Sequence, residues 1–474
     1  MTKTANHRIR RLYTMDNLPV LRCIDSETAD LIYLDPPFNS GKQWENPIGE
    51  GNKRALASFK DTWTLSDTHA DEEYELSLVC PKTIPLINSL HEINGGSWKA
   101  YLLYMGARLV EMRRILKPTG SIYYHCDPVM AHGVKLLMDA IFGSSQFLND
   151  TIWHYDGPQS PSKKKFATKH DNVLRYAKNT DKVFASSTHM FKLSEVGALE
   201  LRTQYKKDED GYFYDLPPGD YTDDSIRQLE AEGRIRRTRT GKVRVKYYLI
   251  RKNDKYYRRK KLPSVWNDIP SLGQSSPRKE KTGYPTQKPL ALLERIIEAS
   301  SDKDDLVIDP FCGCATTCLA AERLKRQWIG IDLAEEAADL VRSRLQKDGE
   351  GKFEFAAYEV EHLNKLPKRT DLDGLRSDNV ILKPRLYKTQ KGVCPGCEEK
   401  TRIELMHFDH IIATSRGGQN TDDNIQLLCG NCNSVKGDRG MHYLWRKILE
   451  RRTEEKMREY ETKRLKRAKD RQQD

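Results

Sequence analysis

Three short apolar runs, each ending on a polar residue at a turn, constrain this chain more than any other feature. They are Asp30-Leu31-Ile32-Tyr33-Leu34 before Asp35, Ser121-Ile122-Tyr123-Tyr124 before His125, and Leu306-Val307-Ile308 before Asp309. Runs of this length suit buried parallel strands, whose carboxyl ends carry the functional loops of an open α/β sheet. Helical spacing fills the gaps: Trp98 to Leu116, stopped by Lys117-Pro118-Thr119-Gly120, then Val134 to Phe142 and Pro289 to Ser300. At 474 residues the chain has room for about three domains of roughly 150 residues each.

Between 149 and 284 this pattern dissolves into charged, aromatic, turn-rich sequence, so a separate lobe is expected between two halves of the sheet. Lys and Arg total 80 against 68 Asp and Glu, a net charge of +12. Much of the surplus sits at 234–261, which holds 14 Lys or Arg, the single acid Asp254, and the interleaved Tyr247, Tyr248, Tyr256 and Tyr257. A solvated basic hairpin would use the same residues, but so lopsided a run repels itself without a polyanion, which favours DNA. The tail from 442 reads as a charged helix, either solvated or lying on phosphate. No run approaches the roughly 18 apolar residues of a membrane span, and Met1 to Arg11 has no apolar signal segment. A soluble, intracellular protein with no membrane partner is expected.

Asp35-Pro36-Pro37-Phe38 is the first motif that carries chemistry. An exocyclic base amine is a poor nucleophile because its lone pair is delocalised into the ring. A carboxylate and a backbone carbonyl that accept its two N–H bonds draw the nitrogen toward tetrahedral geometry and free that lone pair. The prolines lack N–H donors and stiffen the loop, and Phe38 offers a flat face to a base. The second motif, Asp309-Pro310-Phe311-Cys312-Gly313-Cys314-Ala315-Thr316-Thr317, is strand, tight turn and helix, with Asp332 after the next apolar run. That is the layout of a nucleoside-binding βαβ unit whose acid accepts from ribose hydroxyls. No phosphate-binding GxGxxG is present, which suits a ligand bearing sulfonium and amino-acid groups better than a dinucleotide.

With these motifs the chain resembles the site-specific DNA adenine-N6 or cytosine-N4 methyltransferases of the permuted beta group. The resemblance covers roughly the first 350 residues and includes Asp16-Asn17-Leu18, LIYLDPPFNSG, ILKPTGSIYYHCDP, KHDNVLRYAK and YPTQKPLALLERIIEAS leading into DPFCGCATT. It implies a Rossmann-like α/β core that uses S-adenosyl-L-methionine. By the same resemblance Asp35 to Phe38 hold a flipped target base, while Asp309, Phe311, Gly313 and Thr316 line the methyl-donor site and Asp332 grips its ribose. Lys288, Pro289 and Asp16 match further cofactor positions. The family's FxGxG reads here as Phe311, Gly313, Ala315, so an extra methyl group is expected to crowd the donor. The acid-first DPPF favours adenine over cytosine, since a serine-first form would point to cytosine.

Ten cysteines are too few and too uneven for a disulfide framework. Cys394 and Cys397, then Cys429 and Cys432, form two CxxC pairs about thirty residues apart, the pattern of a structural tetrahedral zinc ion. Between and beside them stand Asp409-His410, Asn424 and Asn433. Over 392–436 the sequence resembles HNH nucleases of the ββα-metal type. The resemblance implies that His410 is the general base, that Asp409 and Asn433 hold one Mg²⁺ or Mn²⁺, and that Asn424 fixes the His410 loop. A zinc ribbon that only binds DNA needs the cysteines but not this set.

The resulting layout is a catalytic half at 1–148, a target-recognition insertion at 149–284, a donor-binding half at 285–367, a linker at 368–385, a zinc-stapled HNH domain at 386–441 and a basic helical tail at 442–474. Double-stranded DNA is the expected partner, with a homodimer for double-strand cutting, in the cytoplasm of a prokaryote or its virus. The leading functional reading is a single-chain restriction-modification enzyme. Two others stay open: a methyltransferase fused to a methyl-directed nuclease, and a solitary methyltransferase with a non-catalytic zinc module.

Overall fold

The computed structural model describes residues 8–39, 42–48, 55–61, 63–156, 164–185, 190–272, 280–282, 284, 286–334, 339–345, 360–372 and 379–470. It divides into two compact units, Met1–Phe184 with Ser264–Asp474, and Ala185–Pro263. No described helix is long and apolar enough to cross a membrane.

The first unit begins with β1 (Arg10–Thr14), α1 (Asn17–Cys23) and β2 (Ala29–Leu34), followed by an antiparallel ribbon of β3 (Lys42–Ile48) and β4 (Ala55–Asp61). Helices α2 (Asp67–Val79), α3 (Thr83–Asn94) and α4 (Gly96–Ile115) lead to β5 (Leu116–Cys126), α5 (Pro128–Phe142), β6 (Phe147–His154) and β7 (His170–Ala177). The second unit holds β8 (Phe191–Val196), α6 (Ala198–Gln204), β9 (Lys206–Asp208), β10 (Gly211–Leu216), α7 (Asp223–Ala231), β11 (Ile235–Arg237), β12 (Val243–Tyr248), β13 (Ile250–Lys252) and β14 (Lys255–Lys261). These strands form two antiparallel sheets, ordered β11-β12-β10-β9 and β13-β14-β8.

The chain returns to the first unit with β15 (Val265–Trp266), α8 (Leu290–Ser300), β16 (Leu306–Asp309), α9 (Thr316–Arg323), β17 (Gln327–Asp332) and β18 (Glu361–Leu363). These complete a nine-stranded sheet in the order β15-β6-β7-β5-β2-β16-β17-β1-β18. From β5 to β18 the pairings are parallel, while β7 runs antiparallel to both neighbours. All six residues of β2 are buried, and their alternation splits the core in two. Ile32 and Leu34 point to a cluster built with α4 and α5, whereas Leu31 and Tyr33 meet α8 and α9 on the other face. β2 and β16 are neighbours at the switch point of the sheet, so the loops after them open into one crevice.

The second unit is narrower than the stretch 149–284 that the sequence suggests. β6 and β7 belong to the main sheet, with Tyr124 opposite Leu174 and Leu174 opposite Asp150. The exposed Asn149 and Asp150 break the apolar run of β6, which makes a strand of the main sheet read as lobe.

The C-terminal part of the first unit comprises α10 (Asn379–Thr389), β19 (Met406–His410), β20 (Ile425–Cys429), α11 (Gly430–Lys436) and the long α12 (Met441–Asp470). β19 and β20 pair antiparallel and α11 packs on both, which is a ββα unit. Its core is small, around Leu427, Leu428, Met441 and Leu444.

Ala315 caps α9 in the left-handed region, at φ 54°. Its side chain is buried in the core beneath α9 and is absent from the cavity lining, which Gly313, Cys314 and Thr316 reach on either side of it. The cost is in the backbone, about 1–2 kcal/mol for a non-glycine residue in this conformation. Ala315→Gly relieves that strain but loses a buried methyl worth about 0.8 kcal/mol and gains unfolded-state entropy. Denaturant unfolding should therefore change by less than about 1 kcal/mol for Ala315→Gly, while Ala315→Val, branched at a positive φ, should cost more than about 2 kcal/mol.

Candidate active sites

The crevice between the β2 and β16 loops is a cavity of about 220 Å³. Asp35, Pro36, Pro37, Phe38, Lys288, Asp309, Phe311, Gly313, Thr316 and Asp332 all line it, together with Asn17, Tyr104 and Tyr284. Of the predicted residues, Asp16 and Pro289 stand outside this lining. Pro289 precedes α8 as its N-cap residue. Asp16 caps α1 by accepting from the Leu18 N–H, and its carboxylate also pairs with Arg108.

The Lys288 ammonium lies 2.8 Å from Asp35 Oδ2 and 5.3 Å from the centre of the Phe38 ring. A residue predicted for the donor thus grips the carboxylate predicted for the target amine. Asp332 accepts the Gly313 N–H at 2.8 Å and the Ala334 N–H at 2.9 Å, which fixes the acid across the turn. Asp309 accepts the Phe311 N–H at 3.0 Å. Its carboxyl is pushed up to about 7, mainly by burial and further by the charges of Asp35 and Asp332, against the hydrogen bonds from Thr317 and Phe311. Three carboxyl groups around one cavity complement a ligand that carries sulfonium and ammonium charge, so the residues fit the expected donor.

Two supports were not foreseen in the sequence. Arg108, on α4, is buried and bonds Asn17 at 2.6 Å, Asp16 at 2.9 Å and Glu72 at 3.0 Å, with its guanidinium 3.2 Å over the Tyr104 ring. Asn17 passes this grip to the donor turn by donating to the Pro310 carbonyl at 2.7 Å. Behind Phe38, the buried His125 is held between Tyr33 at 2.9 Å and Asp171 at 2.9 Å. Burial raises the Asp171 carboxyl, but the hydrogen bonds from His125 and Tyr155 together with the nearby charge of Lys288 outweigh that and leave it below its usual value. His125 and Asp171 lie inside quoted blocks, whereas nothing local marks Arg108.

In the ββα unit the four cysteine sulfurs lie within 4.8 Å of one another. Those of Cys397 and Cys429 are 3.9 Å apart, close to the roughly 3.8 Å edge of a tetrahedron with metal–sulfur bonds of about 2.3 Å. Backbone N–H groups of Cys429, Cys397 and Gly396 hold the Cys394 thiol below its usual value despite burial, as a thiolate ligand requires. Asn424 ties both ends of the following loop: it accepts the Ile412 N–H at 2.9 Å and donates to the carbonyls of Ile412 and Gln419 at 3.0 and 2.8 Å. His410 Nε2 is buried and finds no hydrogen-bond partner among the described residues. Asp409 accepts from Gln426 at 2.9 Å, and the buried Lys436 ammonium lies 3.1 Å from each of its carboxylate oxygens. Asn433 stands on α11, next to Cys432.

Residues 29–343 match the DNA methylase family model N6_N4_Mtase. The chain belongs to the N6/N4 DNA methylase family. Residues 394–439 match the HNH endonuclease model, so a methylase and an HNH domain share this chain. Type II methyltransferase M.EcaI of Enterobacter cloacae is 29% identical over 68% of this chain and 65% of its own length. The StyLTI Mod subunit, a type III restriction-modification enzyme component of Salmonella typhimurium strain LT2, is 27% identical over 69% of this chain and 52% of its own length. The chain thus spans less than two thirds of either relative. Among solved structures, the cytosine-N4-specific PvuII DNA methyltransferase superposes with a TM-score of 0.39 at 16% identity, covering 72% of this chain and 90% of that one.

The Asp309 carboxyl gives this site a pH signature. Its folded value, about 7, lies above its ordinary 3.8, so between these values the folded protein holds a proton that the unfolded chain has lost. Stability from this group falls as pH rises through that window. Asp309→Asn should remove the slope and stabilise the chain above about pH 7 by on the order of 2 kcal/mol, read from denaturant midpoints across pH.

Proposed function

We propose that this chain is an S-adenosyl-L-methionine-dependent DNA amino-methyltransferase, with adenine N6 favoured over cytosine N4, joined to a metal-dependent HNH nuclease in a single-chain restriction-modification enzyme. The observation that carries the reading is Asp35-Pro36-Pro37-Phe38 facing Asp309 and Asp332 across one cavity. Bound among Asp309, Phe311, Gly313, Thr316 and Asp332, the donor supplies an electrophilic methyl group. Asp35 and the Pro36 carbonyl accept the two N–H bonds of a flipped base, and Phe38 covers its ring. Before the amine arrives, Lys288 neutralises Asp35; afterwards Asp35 takes up the surplus amine proton.

In the HNH half a structural zinc held by Cys394, Cys397, Cys429 and Cys432 staples a domain whose own core is too small to hold it. Asp409 and Asn433 would hold Mg²⁺ or Mn²⁺, which would supply charge neutralisation at the leaving oxygen. His410 takes the proton of the attacking water, a role suited to its unpartnered Nε2. One such site faces one scissile phosphate, so one molecule nicks double-stranded DNA and two cut both strands.

The test is plasmid DNA, unmethylated or pre-methylated by the protein itself, incubated with donor and Mg²⁺. Asp35→Ala should abolish methyl transfer with calorimetric donor affinity kept within about threefold, and His410→Ala should abolish nicking with methyl transfer intact. Loss of donor binding in Asp35→Ala, or full nicking by His410→Ala, would overturn the respective assignment. Preferential cutting of the methylated plasmid would replace restriction-modification by a methyl-directed nuclease.

The 185–263 unit supports a role in DNA contact, but not through all of its cations. Asp215 alone pairs with Lys206, Arg236 and Arg244, and Asp208, Glu230 and Glu195 take Lys246, Arg237 and Lys255. Among the described residues Arg239, Lys242 and Lys252 are exposed near two hairpin turns with no ion pair. Replacing these three with Gln should flatten the log affinity against log salt slope by up to about 3, whereas Lys255→Gln should leave it unchanged.

A further inference from the structure

The loop that Asn424 ties together, running from Ile412 to Gln419, has a second face turned away from the proposed nuclease site. That face rests on the first two helices of the methylase half. Arg416 pairs with Asp71 on α2 at 3.0 Å and approaches Glu75, one turn along, at 3.8 Å. Arg22 of α1, itself paired with Glu75, donates to the Arg416 carbonyl at 3.0 Å. Gln419 donates back to the Arg22 carbonyl at 3.2 Å. Gly417, at φ 79°, comes so close that a Cβ there would lie 2.6 Å from the Pro19 carbonyl oxygen. Asp71 also accepts the His442 N–H at 3.1 Å, and Tyr74 meets Trp445 edge to face at 5.0 Å.

Asp71, Glu75 and Arg22 are all buried, so these are ion pairs in a low-dielectric seam and not surface pairs. Burial drives the Glu75 carboxyl above its usual value even with two guanidinium groups nearby, so removal of a cation leaves a carboxylate unsatisfied. A 3₁₀ turn of three residues with two flanking glycines has little stability of its own. Its shape is therefore set jointly by Asn424 on the inside and by the α1–α2 socket on the outside.

We propose that Arg416 is a positioning residue of the nuclease half, which acts by docking the His410–Asn424 loop onto Asp71 and Glu75 of the methylase half. This rests on the nuclease reading above, and adds that DNA cutting depends on two carboxylates that touch neither DNA nor metal. The loop leaves β19 directly after His410, so an undocked loop displaces the general base, and a shift of about 1 Å is worth up to about a hundredfold in rate.

The experiment uses the full chain with Mg²⁺ and saturating plasmid, reading single-turnover nicking beside zinc content and methyl transfer. Arg416→Ala should lower the nicking rate constant by about tenfold or more, with zinc content and methyl transfer unchanged. Arg416→Lys should recover part of the loss, and Asp71→Asn, in the other half of the chain, should reproduce it. The double variant should be much less impaired than the product of the two single effects, since both substitutions break the Arg416–Asp71 pair. Amide exchange over 411–419 should quicken in each variant that slows nicking. Wild-type nicking and exchange in both Arg416→Ala and Asp71→Asn would overturn the proposal. If the wild type cuts no faster than His410→Ala, the nuclease reading itself falls and takes the proposal with it.

Discussion

The parallel pairing of β2 with β16 is the constraint on which both halves of the methylase site depend. The two strands are far apart in the chain: Asp30, at the start of β2, accepts the Leu306 N–H at 2.9 Å across 276 positions. Lys117 closes the same carboxylate from β5 at 2.7 Å, so one acid at the amino-terminal edge locks three strands in register. The entropy of closing so long a loop grows only slowly with its length, and a fully buried strand with core on both faces readily offsets it. Once this register is set, Asp35 and Asp309 emerge side by side at the opposite edge, where neither would gather a partner alone.

The price of that arrangement is electrostatic. Asp35, Asp309 and Asp332 converge in a low-dielectric crevice, and the chain answers each differently. Asp35 receives a buried ammonium, Asp332 receives two backbone N–H groups, and Asp309, the most enclosed, is left to keep its proton to about pH 7. Such a cavity complements a cationic ligand, and the turn beside it is made with two left-handed residues, Gly313 and Ala315.

Much of this was legible in the sequence because it is local. A strand ending in an acid, a CxxC pair or an Asp-His dipeptide stands out within a few residues; the methylase cavity is lined by the residues of the two strand-ending motifs, and the four cysteines gather in the ββα unit. What escaped is long-range. Lys288 reads as a cofactor residue until folding sets it against Asp35, 253 positions away. Arg108 lies mid-helix among apolar neighbours, and only the tertiary structure reveals Asp16, Asn17 and Glu72 around it. β6 and β7 read as lobe because Asn149 and Asp150 in one, and His170, Asp171 and Asn172 in the other, interrupt their apolar runs. In the basic segment, the residue count overstated free charge, since acids outside the window, Asp208, Asp215, Glu195 and Glu230, had already claimed several of its cations.

The seam between α2 and the HNH loop has a bearing on how such two-part chains are assembled. A module recognised by its cysteines and its Asp-His appears self-contained, with borders at the first CxxC and just beyond the second. Yet its loop is moulded partly by Asp71 and Glu75, which lie more than three hundred positions upstream. An HNH domain of this kind transplanted onto another methylase would arrive without its mould. The stretch of sequence that can be traded between enzymes is therefore larger than the stretch that is recognisably shared, and it is not contiguous.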